Sequence, residues 1–174
     1  MANPAVLRSI VKIFAVTAEL ELVETTWLAA FRAKYDEPYR PHITLKQPCF
    51  IEEHAVPVIK SLFDDFVGTL TISDYQIPVL FDNLVHGEFT IMLDATKHEQ
   101  LDQLQVGVLQ VLSGYRNFVK PKYEGYEADF HPHLTIARNL DEATRKQAVQ
   151  EMPADYSIKG SIREITLGIA DEIA

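Results

Sequence analysis

The chain has 174 residues, 47% of them hydrophobic and 24% charged, the size and make-up of one globular domain with its own core. Its formal charge of −9, with cations scattered along the chain, excludes the basic stripe that long nucleic acids require, so any phosphate partner should be small or held by one end. No apolar run approaches the roughly 20 residues of a membrane span. The opening Met1-Ala2-Asn3-Pro4 lacks the basic and apolar regions of a signal peptide. The one cysteine, Cys49, has no internal disulfide partner and reads as a small buried hydrophobe. A cytoplasmic protein is expected.

Ser9 to Val16 predicts a strand, and Val23, Trp27 and Phe31 then recur at the spacing of an amphipathic helix ending near Tyr35. The turn Asp36-Glu37-Pro38-Tyr39-Arg40-Pro41 leads into a short strand, His42 to Gln47. Val56, Ile59, Phe63 and Phe66 mark a second helix, ended by Gly68, and two β-like stretches follow, Thr69 to Ser73 and Gln76 to Phe81. Glu88 to Asp94 alternates, with Phe89, Ile91 and Leu93 on one face. Leu101, Leu104, Val108 and Val111 give a helix with Gly114 at its C-terminal cap. After a long connection come the strand His133 to Arg138, a short helix capped by Asp141, and β-like stretches at Tyr156 to Gly160 and Ile162 to Ile169.

The two halves repeat one order of elements: strand, helix, short strand, helix, strand or strand pair. We therefore expect a fold of the α/β (α+β) class. It should be a single domain over residues 1–174 made of two pseudo-symmetric lobes, about 1–85 and about 86–174, around one cleft.

The short middle strand carries the same pattern twice, Pro41-His42-Ile43-Thr44-Leu45 and Pro132-His133-Leu134-Thr135-Ile136. Strand side chains alternate faces, so each copy offers an imidazole and a hydroxyl side by side while its aliphatic residues enter the core. Brought together across a cleft, these groups suit phosphoester cleavage. A neutral His42 or His133 can take a proton from the attacking group while the other, protonated, gives one to the leaving oxygen. Imidazole titrates near pH 6.5, so both forms are accessible. The hydroxyls of Thr44 and Thr135 can donate to the non-bridging phosphate oxygens. This chemistry requires no metal or other cofactor.

These two pentapeptides resemble the paired His-x-Thr-x signatures of the two-histidine (2H) phosphoesterase superfamily, which includes the LigT-type 2′-5′ RNA ligases and cyclic phosphodiesterases. The stretch from Arg32-Ala33-Lys34-Tyr35-Asp36 to His42-Ile43-Thr44-Leu45-Lys46 is similar to the YjcG-like branch. The resemblance implies a bilobal fold of two antiparallel sheets flanked by helices, with the four motif residues between them. It also implies action on 2′,3′-cyclic phosphates or 2′-5′ linkages: a small phosphoester, a cyclic nucleotide or an RNA end. Where LigT-type proteins often carry a Phe-Leu-Gly-like stretch after the first motif, Lys46-Gln47-Pro48-Cys49-Phe50 stands here.

Other residues are candidates for binding the substrate. Lys46 has the strand parity of His42 and Thr44, which would place a cation at the cleft. Arg138 has the parity of Leu134 and Ile136, so it reaches the cleft only if the strand twists or bulges. The connection from Tyr115 to His131 holds Lys120, Lys122, Tyr123, Tyr126 and Phe130, and an aromatic there could stack on a base. Two rival readings stand beside the phosphoesterase. His131 and His133 could chelate zinc with a third ligand in a metal-dependent hydrolase. The same four motif residues would also serve a non-catalytic module that binds a nucleotide or RNA end. His54, His86 and His98 read as ordinary surface residues.

Overall fold

The computed structural model describes residues 11–23, 26–36, 39–71, 76–96 and 98–171. In chain order the elements are β1 (Val11–Leu22), α1 (Thr26–Tyr35), β2 (His42–Glu52), a 3-10 turn (Glu53–Ala55) and α2 (Val56–Thr69). They continue with β3 (Pro78–His86), β4 (Ile91–Ala95), α3 (Glu99–Val111), α4 (Lys122–Ala128), β5 (His133–Ala137), α5 (Glu142–Glu151) and β6 (Ile158–Asp171). The strands form one antiparallel sheet in the order β2-β1-β6-β3-β4-β5.

Alternation along the strands separates two faces. On β1, Phe14, Val16, Ala18 and Leu20 are buried, while Ile13, Ala15, Thr17 and Glu19 between them are half-buried. Ile43 and Leu45 of β2, Ile91 and Leu93 of β4, and Leu134 and Ile136 of β5 join the buried set. The helices complete it with Leu28, Phe31 and Tyr35 from α1, Ile59 and Phe63 from α2, and Leu101, Leu104 and Val108 from α3. Each large apolar side chain so enclosed stabilises the fold by about 1.5–3 kcal/mol.

The α+β class is as expected, but the two anticipated sheets are the two ends of one. The two stretches expected at the C-terminus are a single strand of 14 residues. β6 pairs with β1 from Gly160 to Asp171 and with β3 from Ile158 to Ser161, which joins the group β2-β1-β6 to the group β3-β4-β5. The last strand of each half, β3 and β6, therefore lies beside strands of the other half. The outer strands β2 and β5 nevertheless approach, with Cα atoms within 8 Å, so the sheet is curled.

Several local expectations change. The first strand extends to Leu22, and its expected start at Ser9 and Ile10 lies outside the described residues. Val23 precedes α1 and donates its N–H to Lys159 O at 2.8 Å, extending the β1–β6 pairing. Thr69 closes α2 one residue past Gly68, and residues 72–73 of the stretch expected to follow are outside the described set. Phe89 is exposed because a tight turn, closed by Gly87 N–H to Thr90 O at 3.0 Å, delays β4 to Ile91. Leu112 caps α3, and no described glycine has positive φ, so Gly114 is not a left-handed cap. The connection from Tyr115 to His131 contains α4. Asp141 does cap α5, its Oδ1 accepting Thr144 N–H at 2.7 Å.

Gly160 sits where β6 passes from β1 to β3, opposite Leu22 and Val79. A Cβ there would lie 2.8 Å from the backbone oxygen of Glu21 and 2.8 Å from Leu22 Cδ2. A carbonyl in a sheet ladder cannot move aside cheaply. Gly160→Ala is therefore expected to destabilise the protein by about 1–3 kcal/mol despite its stiffer unfolded chain, as read by urea unfolding. Unchanged or raised stability would show that the junction can open.

Candidate active site

Each motif strand follows a proline whose missing N–H leaves only its carbonyl for the ladder. Pro41 O accepts Leu20 N–H at 3.0 Å and Pro132 O accepts Ala95 N–H at 2.7 Å. His42 then lies opposite Glu19 and His133 opposite Asp94, while Thr44 faces Thr17 and Thr135 faces Met92. All four motif residues are half-buried on the face opposite the core.

The two imidazoles are held alike. His42 Nδ1 is 2.9 Å from Arg40 O, and His133 Nδ1 is 2.9 Å from His131 O. A carbonyl can only accept, so Nδ1 carries the hydrogen in both rings and each neutral imidazole keeps its lone pair on Nε2. Burial pushes the pKa of His42 down, helped by the positive charges of Arg138, His133 and Arg32 and opposed by the bond to Arg40 O. The charge of His133 acts on His42 across the approach of β2 and β5.

After each threonine the ladder takes one extra residue. Thr44 pairs with Thr17 but Lys46 with Val16, and Thr135 pairs with Met92 but Ala137 with Ile91. Leu45 and Ile136 are therefore bulged residues, and the strand parity reverses beyond them, in β2 only locally, since a second extra residue between Lys46 and Cys49 restores it. Burial follows: Leu45 and Lys46 are consecutive buried residues, as are Ile136 and Ala137.

The reversal moves Lys46 away from the cleft face on which simple alternation placed it. Its side chain is 2% exposed; Nζ is 2.9 and 3.2 Å from the Glu127 oxygens, 3.5 Å from Cys49 Sγ and 4.8 Å from the centre of the Phe118 ring. Cys49 is buried as expected, which pushes its thiol pKa up.

The same reversal puts Arg138 on the side of His133 and Thr135. Its guanidinium lies 4.6 Å over the Tyr39 ring, and its Nε is 3.3 Å from Asp36 Oδ1, an ion-pair contact without hydrogen-bond geometry. The other Asp36 oxygen takes two bonds from Arg32, at 2.9 and 2.7 Å, and Arg32 Nη2 also reaches Tyr39 O at 2.5 Å. The trio of Arg32, Asp36 and Arg138 thus carries a net positive charge near His42. Asp36, Tyr39 and the carboxylates Glu19 and Asp94 were not anticipated; Glu19 and Asp94 join the site through strand register.

Tyr123 and Tyr126 lie on α4 with ring centroids 6.1 Å apart, Tyr126 is 48% exposed, and Lys122 Nζ is 5.9 Å from its ring. His131 Nε2 is 3.1 Å from Asp129 Oδ2, both exposed. Among the described residues no group of three His, Cys, Asp or Glu side chains has the arrangement of a metal site, so none of them supplies the third ligand that the zinc reading needs. His54 pairs with Glu52 at 3.0 Å on the surface, whereas His98 Nδ1 is buried.

A curled antiparallel α+β domain with two equivalent His-x-Thr strands approaching each other has the build of the two-histidine class. A family model described as the 2′-5′ RNA ligase superfamily matches residues 16–173, and the chain belongs to that superfamily of two-histidine phosphoesterases. No curated protein matches the chain significantly in sequence. The crystal structure of the MHV ns2 PDE domain is similar with a TM-score of 0.55 at 11% identity, over 93% of this chain and 99% of that one. A conserved protein of unknown function, ATU0111 from Agrobacterium tumefaciens str. C58, is similar with a TM-score of 0.51 at 10% identity, over 93% and 82%. At such identities these likenesses establish the fold. No helix among the described residues is long and apolar enough to cross a membrane.

The cations around His42 disfavour its protonated form. Its imidazole is expected to titrate below the ordinary imidazole value in an NMR titration, and Arg138→Gln should move that titration upward. A wild-type His42 titrating at or above the ordinary value would contradict this account of the site.

Proposed function

We propose that the protein is a metal-independent phosphoesterase acting on 2′,3′-cyclic phosphates or 2′-5′-linked RNA-type substrates, with His42 and His133 as general base and general acid. The observation that carries this reading is the duplicated holding of the two rings, each with Nδ1–H on the carbonyl two residues back and Nε2 without a hydrogen-bond partner among the described residues. Superfamily membership supports the same class of chemistry.

For hydrolysis of a cyclic phosphate, His42 Nε2 takes a proton from a water whose oxygen attacks phosphorus. The bond from phosphorus to one ribose oxygen breaks, and His133 Nε2–H gives that oxygen its proton. The lowered pKa of His42 suits the base, since it keeps the ring neutral at a pH where an ordinary imidazole is partly charged. His133 then takes the acid role. Thr44 and Thr135 donate to the non-bridging oxygens as charge develops there. Arg138, supported by the Tyr39 ring and Asp36, offers a cation to the phosphate, and Tyr123 or Tyr126 offers a face to a base. Two imidazoles can move both protons without a Lewis acid, so turnover should persist with a chelator present.

The pair makes a sharp prediction. Turnover of a 2′,3′-cyclic nucleotide should be bell-shaped in pH, with limbs that belong to the coupled pair. His42→Ala and His133→Ala should each lower turnover by roughly 10²-fold or more. The double variant should cost little beyond the worse single one, because groups acting as a unit are not additive. Thr44→Ala and Thr135→Ala should cost less and leave the shape of the profile alone. Near wild-type turnover without His42 would end the two-histidine mechanism. A protein that binds the cyclic nucleotide with no turnover would be the non-catalytic module instead.

A further inference from the structure

We propose that the buried Lys46–Glu127 pair is a mount that holds α4 against the first motif strand, so that Tyr123 and Tyr126 can receive the base of the substrate. The inference rests on the phosphoesterase reading and adds two positioning residues to it.

Helix α4 cannot hold itself. It has 7 residues, no side-chain cap at its N-terminus and no buried residue, and a helix so short is unstable alone. None of its side chains joins the hydrophobic core. The exposed pair Arg116–Glu124, at 2.6 Å, contributes little. Gln105, buried on α3, donates to Glu127 O at 3.3 Å. The Glu127 carboxylate, 11% exposed, does most: it receives Lys46 Nζ on both oxygens and accepts the Gln47 N–H at 2.8 Å.

That carboxylate binds β2 immediately past the bulge, two and three residues from Thr44. Ala128 ends α4 five residues before His133. The helix is therefore fastened to the first motif strand through Glu127 and runs by its chain into the second. Tyr123 lies one helical turn before Glu127, so its position follows from that of the carboxylate. A buried ion pair is a weak source of stability, since apolar replacements of both partners are often neutral or better. What this pair supplies is a fixed geometry between the tyrosines and the phosphate-binding strand.

Removing one partner would leave a buried charge unpaired and could unfold the protein, so the test uses Lys46→Met with Glu127→Gln. The methionine fits against Phe118 and Cys49, and the glutamine oxygen still accepts from Gln47 N–H. Lys46→Gln with Glu127→Gln, which likewise removes both charges together, is the second variant. Hydrogen exchange should rise over residues 122–128 in either variant while β2 and β5 stay protected. The preference of kcat/KM for 2′,3′-cyclic AMP over glycerol 1,2-cyclic phosphate, which has no base, should shrink by roughly fivefold or more through KM, the scale of a lost base stack. The limbs of the pH profile should not move. Unchanged exchange over α4, or an unchanged preference, would overturn the mount. A wild-type protein that turns over neither ester would instead defeat the phosphoesterase reading, and the exchange measurement would still decide whether the pair holds α4.

Discussion

An extra residue in each motif strand, Leu45 opposite the Thr17–Val16 step and Ile136 opposite the Met92–Ile91 step, determines which side chains share the face of the motif residues. It also determines which backbone groups the neighbouring ladder leaves unpaired. Ladder pairing would otherwise continue evenly and place Lys46, not Gln47, beside Thr44. With the bulge, the N–H two residues past it turns outward in both strands and must find another acceptor. Arg138 N–H finds Tyr35 O at 2.9 Å, and Gln47 N–H finds Glu127 Oε1 at 2.8 Å. Each acceptor comes from the segment that leads into the other half's motif. The halves are thus cross-fastened at equivalent points, which fixes the separation of β2 and β5.

Alternation in the sequence was enough to place His42, Thr44, His133 and Thr135 on one face, because the bulges fall after the threonines. It failed for Lys46, since Leu45 and Ile136 are aliphatic and fit the core in either register. No local residue pattern announces the insertion; only the ladder with β1 and β4 reveals it. Arg138 shows the same limit from the other side, for its place at the cleft depended on a bulge the sequence could require but not display. Two further failures arise from distance along the chain. Asp36 meets Arg138 and Glu127 meets Lys46 across separations that strand or helix periodicity cannot span. The continuity of the sheet depends on Gly160, whose missing side chain permits a three-strand junction but reads in sequence as a break.

Identical motifs need different surroundings if one ring is to accept a proton while the other donates. The surroundings do differ. Around His42 the cations Arg138 and Arg32 join burial in favouring the neutral ring, and the carboxylate opposite it, Glu19, is engaged by Arg40 at 3.1 Å and Thr166 Oγ1 at 3.4 Å. Asp36 neutralises only part of that positive charge, because its one carboxylate serves two guanidiniums. His133 faces Asp94 across the ladder instead. On the proposed reading, the two motifs supply equivalent imidazoles and the residues outside the motifs divide the work between them.

The overall charge of −9 at first opposes an anionic substrate, yet distance resolves the conflict. At physiological ionic strength the Debye length is about 8 Å, so carboxylates on remote surfaces act weakly at the motif strands, and of the near ones Glu19 is engaged by Arg40 and Asp36 by Arg32 and Arg138. A phosphate at the motif strands instead meets Arg138 and the hydroxyls of Thr44 and Thr135 at close range, where screening matters least. A long polyanion would extend over a protein of net charge −9 and would gain few compensating cations. On the proposed reading the charge distribution therefore acts as a size filter, admitting one phosphate with one adjoining nucleoside and giving the rest of a long strand nothing to bind.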